Sequence, residues 1–260
     1  MNTLLLDLSR EQNKWHRRRE VSQLELDGQR QVVRLGIPDE RWQKQTDKKL
    51  VRQIGKVARR CGAQYAVLGD ALMGSGKGGK ALQESGLTFC DGTPLHMPLY
   101  PVAVHKLAKE SGVNLMESPV TITGDINEVV GFIWQMKDEV KYFAVAGGAE
   151  YADLITYLYD EYGISVRLVE EAHSGICVAA GGQKERLEGN LVLDFSGTNE
   201  KAIRVSLDMG QWSQRLGEMT KGSNLGAAEA LLRMLGEQPA EALPRYCKGI
   251  SLLREKPVRL

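Results

Sequence analysis

From about residue 118 onward, short apolar runs alternate with longer stretches in which apolar positions recur every three or four residues. PVTITGD (119–125) reads as a strand. INEVVGFIWQMKDEV (126–140) reads as an amphipathic helix with Val129, Ile133 and Met136 inward. YFAVAGG (142–148) is a strand, AEYADLITYLYDEYG (149–163) a helix and ISVRLVE (164–170) a strand, so Lys141–Glu171 forms one βαβ unit. GICVAAGG (175–182) and NLVLDFSG (190–197) read as two further buried strands. Short apolar strands alternating with helices predict a parallel sheet, because each crossover helix must bury its apolar stripe on that sheet.

The first half is patterned differently. TLLLDL (3–8) is strand-like, a polar basic stretch follows, and VSQLELDGQRQVVRLGI (21–37) contains two alternating runs joined at Asp27-Gly28. An Asp-Gly pair supplies the positive backbone angles of a tight hairpin turn, so antiparallel strands are expected here. In DKKLVRQIGKVARRCG, Leu50, Ile54, Val57 and Cys61 recur at helical spacing and Gly62 ends the helix. A strand QYAVLGD, a glycine- and lysine-rich loop ALMGSGKGGKALQESG (71–86), and a helix over 101–111 with Val102, Leu107 and Ala108 as core positions complete this part. The tail carries a helix over 224–235 with Leu225, Ala228, Leu231, Leu232 and Leu235 inward, then a stretch with two prolines. The expected fold class is α/β. It comprises a doubly wound, mostly parallel Rossmann-like sheet over 118–208, an N-terminal α/β domain with a hairpin over 1–117, and a helical extension over 209–260 packing back on the N-terminal part.

Composition narrows the class without naming a function. A hydrophobic fraction of 42% with 26% charged residues excludes a disordered chain. No apolar run approaches a membrane span, and MNTLLLDLSR lacks the basic start of a secretory signal, so a cytoplasmic location is expected. Four scattered cysteines read as reduced thiols rather than a disulfide or zinc framework. The net charge of +1 conceals a basic head: residues 1–60 carry +7 and the rest −6. Within that head, Trp15-His16-Arg17-Arg18-Arg19 is read as a solvated strand edge rather than a nucleic-acid contact. A small-molecule ligand is the expected partner, membrane and nucleic acid are not, and a homo-oligomer is compatible with the sequence.

The candidate chemistry centres on the turn Gly147-Gly148-Ala149-Glu150, which follows a strand and opens a helix. Free amides at a helix start favour a phosphate, and Gly147, Gly148 and Ala149 would cradle one. Glu170, at the end of the next strand, stands where a carboxylate meets a ribose hydroxyl, which makes NAD(P) the candidate cofactor. Ala149 replaces a fingerprint glycine, and Glu150 would repel a pyrophosphate. Ser75, Lys77 and Lys80 lie in a loop that misses the Walker A pattern but offers amides and charge to an anion. Ser196, Thr198 and Asn199 follow a strand end and would line the same crevice as Gly147. Cys90, Asp91, His96 and His105 share a segment at spacings that match no ligand set, so no metal is expected.

No nucleophile elbow, zinc helix or catalytic-cysteine signature is present, and catalysis stays open. In layout, the chain resembles the amino-acid dehydrogenase-like family that includes the shikimate dehydrogenases. That resemblance implies an N-terminal substrate domain, a nucleotide-binding domain and a C-terminal helix returning to the first. It also implies a catalytic lysine in the N-terminal cleft, a place for which Lys77 and Lys80 are the loop lysines available. Two functions follow: a nucleotide- or NAD(P)-binding protein, an oxidoreductase among them, with its site between the two α/β parts; or a non-catalytic regulatory or interaction protein whose crevice binds an effector or is vestigial.

Overall fold

The computed structural model describes residues 2–8, 20–27, 30–44, 46–69, 72, 76–171, 175–180, 187, 191–195, 202–220 and 223–254. The chain divides into two compact units, one of residues 1–94 and 207–249 and the other of residues 95–206 and 250–260.

The first unit is built on a five-stranded sheet in the order β2-β3-β1-β4-β5, from β1 (Asn2–Leu8), β2 (Glu20–Asp27), β3 (Arg30–Ile37), β4 (Ala63–Leu68) and β5 (Thr88–Phe89). β1 runs parallel to both β3 and β4, β4 runs parallel to β5, and among the described strands of this sheet only β2 is antiparallel, as the partner of β3 in the hairpin. Asp27 pairs with Arg30 across the hairpin, and the turn expected at Asp27-Gly28 extends into residues 28–29, outside the described residues. Alternation along β1 sends its side chains to two faces. Leu4 and Leu6 enter the cluster of Val33, Leu35, Leu50, Ile54 and Leu68, whereas the Thr3 hydroxyl donates to Met234 Sδ at 3.1 Å. The first face is covered by α2 (Asp47–Cys61), which ends at Gly62 in the left-handed conformation (φ 64°), and the second by α8 (Leu225–Met234). Among the described residues, α1 (Asp39–Lys44), α7 (Ser213–Met219) and α9 (Pro239–Tyr246) also belong to this unit.

The stretch expected as a glycine-lysine loop contains a further helix, α3 (Gly76–Glu84). The helix forms despite its glycines because they let it lie close to the sheet. A Cβ on Gly78 would stand 3.0 Å from Leu68 and 3.3 Å from Trp42, and one on Gly79 would stand 3.3 Å from Phe89. Packing here overrides the roughly 1 kcal/mol that each glycine costs a helix.

The second unit carries a seven-stranded sheet in the order β12-β11-β10-β9-β6-β7-β8. Its strands are β6 (Pro119–Gly124), β7 (Tyr142–Ala146), β8 (Val166–Val169), β9 (Ile176–Ala180), β10 (Val192–Asp194), β11 (Ile203–Asp208) and β12 (Gly249–Leu253). The pairs from β8 through β11 are all parallel. The chain winds outward from β6 through α5 (Ile126–Met136) and α6 (Ala152–Tyr162) to β8. It then returns to the other side of β6 and continues outward from β9. This is the doubly wound Rossmann-like α/β fold, and Val129, Ile133 and Met136 are all fully buried in it.

The helix expected over 101–111 is α4 (Thr93–Ser111), nineteen residues with Pro98 and Pro101 inside, so a proline that looked like a helix start is an interior residue. Its inward set, Leu95, Leu99, Ala103, Leu107 and Ala108, leaves Val102 on the outer side and 51% exposed, not in the core. The tail over 209–260, expected as a helical extension, carries α7, α8 and α9 and then ends in β12 on the outer edge of this sheet.

Candidate functional site

Strand order decides where a ligand site lies in such a sheet. Ligands bind outside the carboxyl ends of the strands where the winding reverses, because the crossover helices there depart to opposite sides. In this chain the reversal is between β6 and β9, so the primary turn is the one after β6, Gly124-Asp125-Ile126-Asn127-Glu128. The turn singled out from the sequence, Gly147–Glu150, follows β7 and is the second turn.

Both turns are tightly specified. Gly124 has φ 155°, and a Cβ there would lie 1.8 Å from the Ala180 carbonyl oxygen, so only glycine lets β6 and β9 stay paired to their ends. Asp125 caps α5, its carboxylate accepting the Asn127 N–H at 2.9 Å. The fingerprint spacing that starts at Gly124 would need glycines where Ile126 and Val129 stand. After β7, a Cβ on Gly147 would meet the Tyr151 ring at 2.2 Å. Tyr151 is fully buried and its hydroxyl donates to the Gly124 carbonyl, tying the second turn to the first. The Gly148 N–H donates to Glu150 Oε1 at 3.2 Å. The exposed Glu150 carboxylate thus occupies the amide that a phosphate would seek.

Of the other sequence candidates, Ala149 begins the short 3-10 turn that leads into α6, and Glu170 is exposed just past the end of β8, one strand further out. Lys77, on α3, donates from Nζ to the Trp42 carbonyl at 2.7 Å, with its ammonium 5.4 Å from the Trp42 ring centre. Lys80 pairs with Glu84 at 3.8 Å along the same helix. Both lysines are therefore helical side chains with partners, not members of a flexible nest. Ser75, Ser196, Thr198, Asn199 and the basic run 15–19 lie outside the described residues.

A polar cluster that periodicity did not reveal is buried beside the primary turn. Glu128, in the first turn of α5, accepts the Tyr100 hydroxyl and lies 3.4 Å from His96 Nδ1. His96 and Tyr100 are one helical turn apart on α4, and both rings pack against Phe195, which follows β10, at centroid distances of 5.4 and 4.9 Å. Burial, and then the nearby Glu128, hold the Tyr100 phenol far above its ordinary value, so it is always a donor. A sequence signal did exist: a glutamate three residues past the capping Asp125, and a His-x-x-x-Tyr pair inside an otherwise apolar helix.

The first unit has its own buried carboxylate. Glu229, 2% exposed on α8, accepts the Gly92 N–H at 2.9 Å and Arg233 Nε at 2.8 Å. Burial raises its pKa despite both contacts, and burial also pushes the adjacent Cys90 thiol far up. Among the described residues, no three His, Cys, Asp or Glu side chains gather as a metal site, and no helix is long and apolar enough to cross a membrane.

No family model and no curated protein matches this chain. Among solved structures it is similar to the L-tryptophan dehydrogenase of Nostoc punctiforme. The two are 12% identical over 83% of this chain and 66% of that one, with a TM-score of 0.36. It is also similar to shikimate dehydrogenase 1 of Peptoclostridium difficile, at 7% identity over 91% and 92% of the two chains and a TM-score of 0.33. The shikimate 5-dehydrogenase of Listeria monocytogenes, solved with shikimate and NAD, is 12% identical over 94% and 95%, with a TM-score of 0.28. The chain spans just under two thirds of the tryptophan dehydrogenase. Likenesses this distant leave the site to be argued from its own residues.

Proposed function

We propose that the seven-stranded unit binds an adenosine-type nucleotide or dinucleotide that carries a free ribose diol, with NAD fitting and NADP not. The observation that carries this reading is the strand order, which with β6 as first strand is the mononucleotide-binding arrangement. In that frame β7 is the second strand, and the carboxylate at its end takes the ribose hydroxyls. That carboxylate is Glu150, which supersedes Glu170 at the end of the third strand. Glu150 is exposed and held by one amide hydrogen bond, so turning it onto a diol costs little, about 1 kcal/mol. A 2′-phosphate would meet the same carboxylate and be repelled.

The residues fit the ribose end of such a ligand better than its pyrophosphate. Ile126 blocks the close backbone approach that a second glycine would allow, and Asp125 occupies the amide of Asn127. An NAD-linked oxidoreductase is the catalytic form of this reading. The self-occupied amides at Asn127 and Gly148 favour a second reading, a non-catalytic protein that binds a nucleoside-like effector. Both are tested by thermal-shift screening against NAD, NADP, ATP and S-adenosylmethionine. A ligand at about 100 times its dissociation constant stabilises by roughly 2.7 kcal/mol. NAD should stabilise and NADP should not, and Glu150→Gln should weaken NAD about tenfold to a hundredfold. Absence of a shift with all four, or unchanged NAD affinity in Glu150→Gln, overturns the reading.

A further inference from the structure

His96 is 2% exposed, and among the described residues its Nε2 has no hydrogen-bond partner. A buried polar atom left unpaired is costly enough that native proteins pair nearly all of them. The rest of the cluster determines what could pair with it. The roles at the contact between Glu128 and Nδ1 depend on the tautomer; in the tautomer whose Nδ1–H donates to the Glu128 carboxylate, Nε2 keeps its lone pair. Tyr100 uses its hydroxyl on the same carboxylate oxygen, which holds Glu128 against its two donors. Glu128 lies just past the end of β6 and Phe195 just past the end of β10, and these strands flank β9, so the cluster straddles the strand ends beside the reversal point. α4 is held close at this place, since a Cβ on Gly131 of α5 would meet Met97 Cε at 2.0 Å.

We infer that His96, Glu128 and Tyr100 form a binding site for a neutral hydroxyl group, with His96 Nε2 as its acceptor, at the carboxyl ends of β6 and β10. The ligand class is a small alcohol or the alcohol moiety of a larger molecule. An anion is excluded because a second negative charge beside Glu128 in a buried setting is repelled. Glu128 is a positioning residue, which sets the tautomer of His96 and leaves the ligand to the imidazole. The inference shares the strand-end location with the nucleotide reading and does not depend on which nucleotide binds, or on whether one does.

The test is imidazole nitrogen NMR on the full chain labelled with 15N-histidine, where four histidines keep the spectrum assignable. His96 should appear as the neutral Nδ1–H tautomer, and 2-propanol should shift its Nε2 resonance saturably while the other histidines stay put. In Glu128→Leu the acceptor that holds the proton on Nδ1 is gone, so the Nε2–H tautomer should become populated, and 2-propanol affinity should fall about tenfold, as expected for one lost hydrogen bond. Tyr100→Phe should keep the tautomer and the response, and serves if Glu128→Leu does not fold. A wild-type Nε2–H tautomer, an Nε2 already hydrogen-bonded before alcohol is added, or no saturable response overturns the proposal. A response to 2-propanol without a thermal shift from any of the four nucleotide ligands sinks the nucleotide reading alone. An NAD shift with a silent His96 sinks this one alone.

Discussion

Gly124→Ala tests the geometry on which the primary turn depends. The native φ of 155° is one that a side chain rarely adopts, and holding alanine there costs about 1–3 kcal/mol. The added Cβ would also stand 1.8 Å from the Ala180 oxygen and 2.8 Å from its carbonyl carbon. These are backbone atoms that cannot swing aside, so β6 and β9 must separate, at a further cost of roughly 1–3 kcal/mol for overpacking. The expected loss is therefore about 4 kcal/mol, which lowers the melting temperature by roughly 10 °C in a protein of this size. Gly112→Ala is the control, because Gly112 has φ 68° but a Cβ there meets nothing within 4 Å. It should cost only about 1–2 kcal/mol, the left-handed penalty alone. Urea and thermal unfolding followed by circular dichroism measure both variants. Equal losses, or a smaller loss at Gly124, would refute the close approach of β6 and β9.

Glu229 makes a pH prediction. Its folded pKa lies above the ordinary carboxylate value, so the folded state binds this proton more tightly than the unfolded state. The resulting stability is fully present below the unfolded pKa and is lost as pH rises through the folded one. Relative to Glu229→Gln, wild type should lose stability on going from about pH 4.5 to neutrality, and urea midpoints that differ equally at both ends contradict the burial argument. Burial also pushes Cys177 up to about 11 and Cys90 higher still, whereas Cys61 is partly exposed. Native labelling with a thiol reagent followed by mass spectrometry should therefore modify Cys61 well before Cys90 or Cys177. Comparable rates at all three would show that these strands open readily.

The second unit was legible where periodicity was strong. Val129, Ile133 and Met136 repeat at helical spacing, and the strands from β6 to β10 are short apolar runs between turns. Strand order was not legible, because nothing local says that β9 returns to the side of β6. The glycine density at Gly147-Gly148 therefore drew the site to the second turn, while Gly124, a lone glycine with a demanding conformation, passed unnoticed. α3 was hidden for a related reason. Its glycines look like a loop until Leu68, Trp42 and Phe89 are seen to need the space. The His96–Glu128–Tyr100 cluster joins residues about thirty positions apart, and only the packing of α4 on α5 brings them together.

Backbone amide NMR during titration with NAD addresses the central claim most directly. The account predicts saturable shifts clustered in Gly124–Glu128 after β6 and Gly147–Tyr151 after β7, with the Gly148 amide moving most as Glu150 leaves it for the ribose. Shifts concentrated elsewhere in the chain, or none at millimolar NAD, would contradict it.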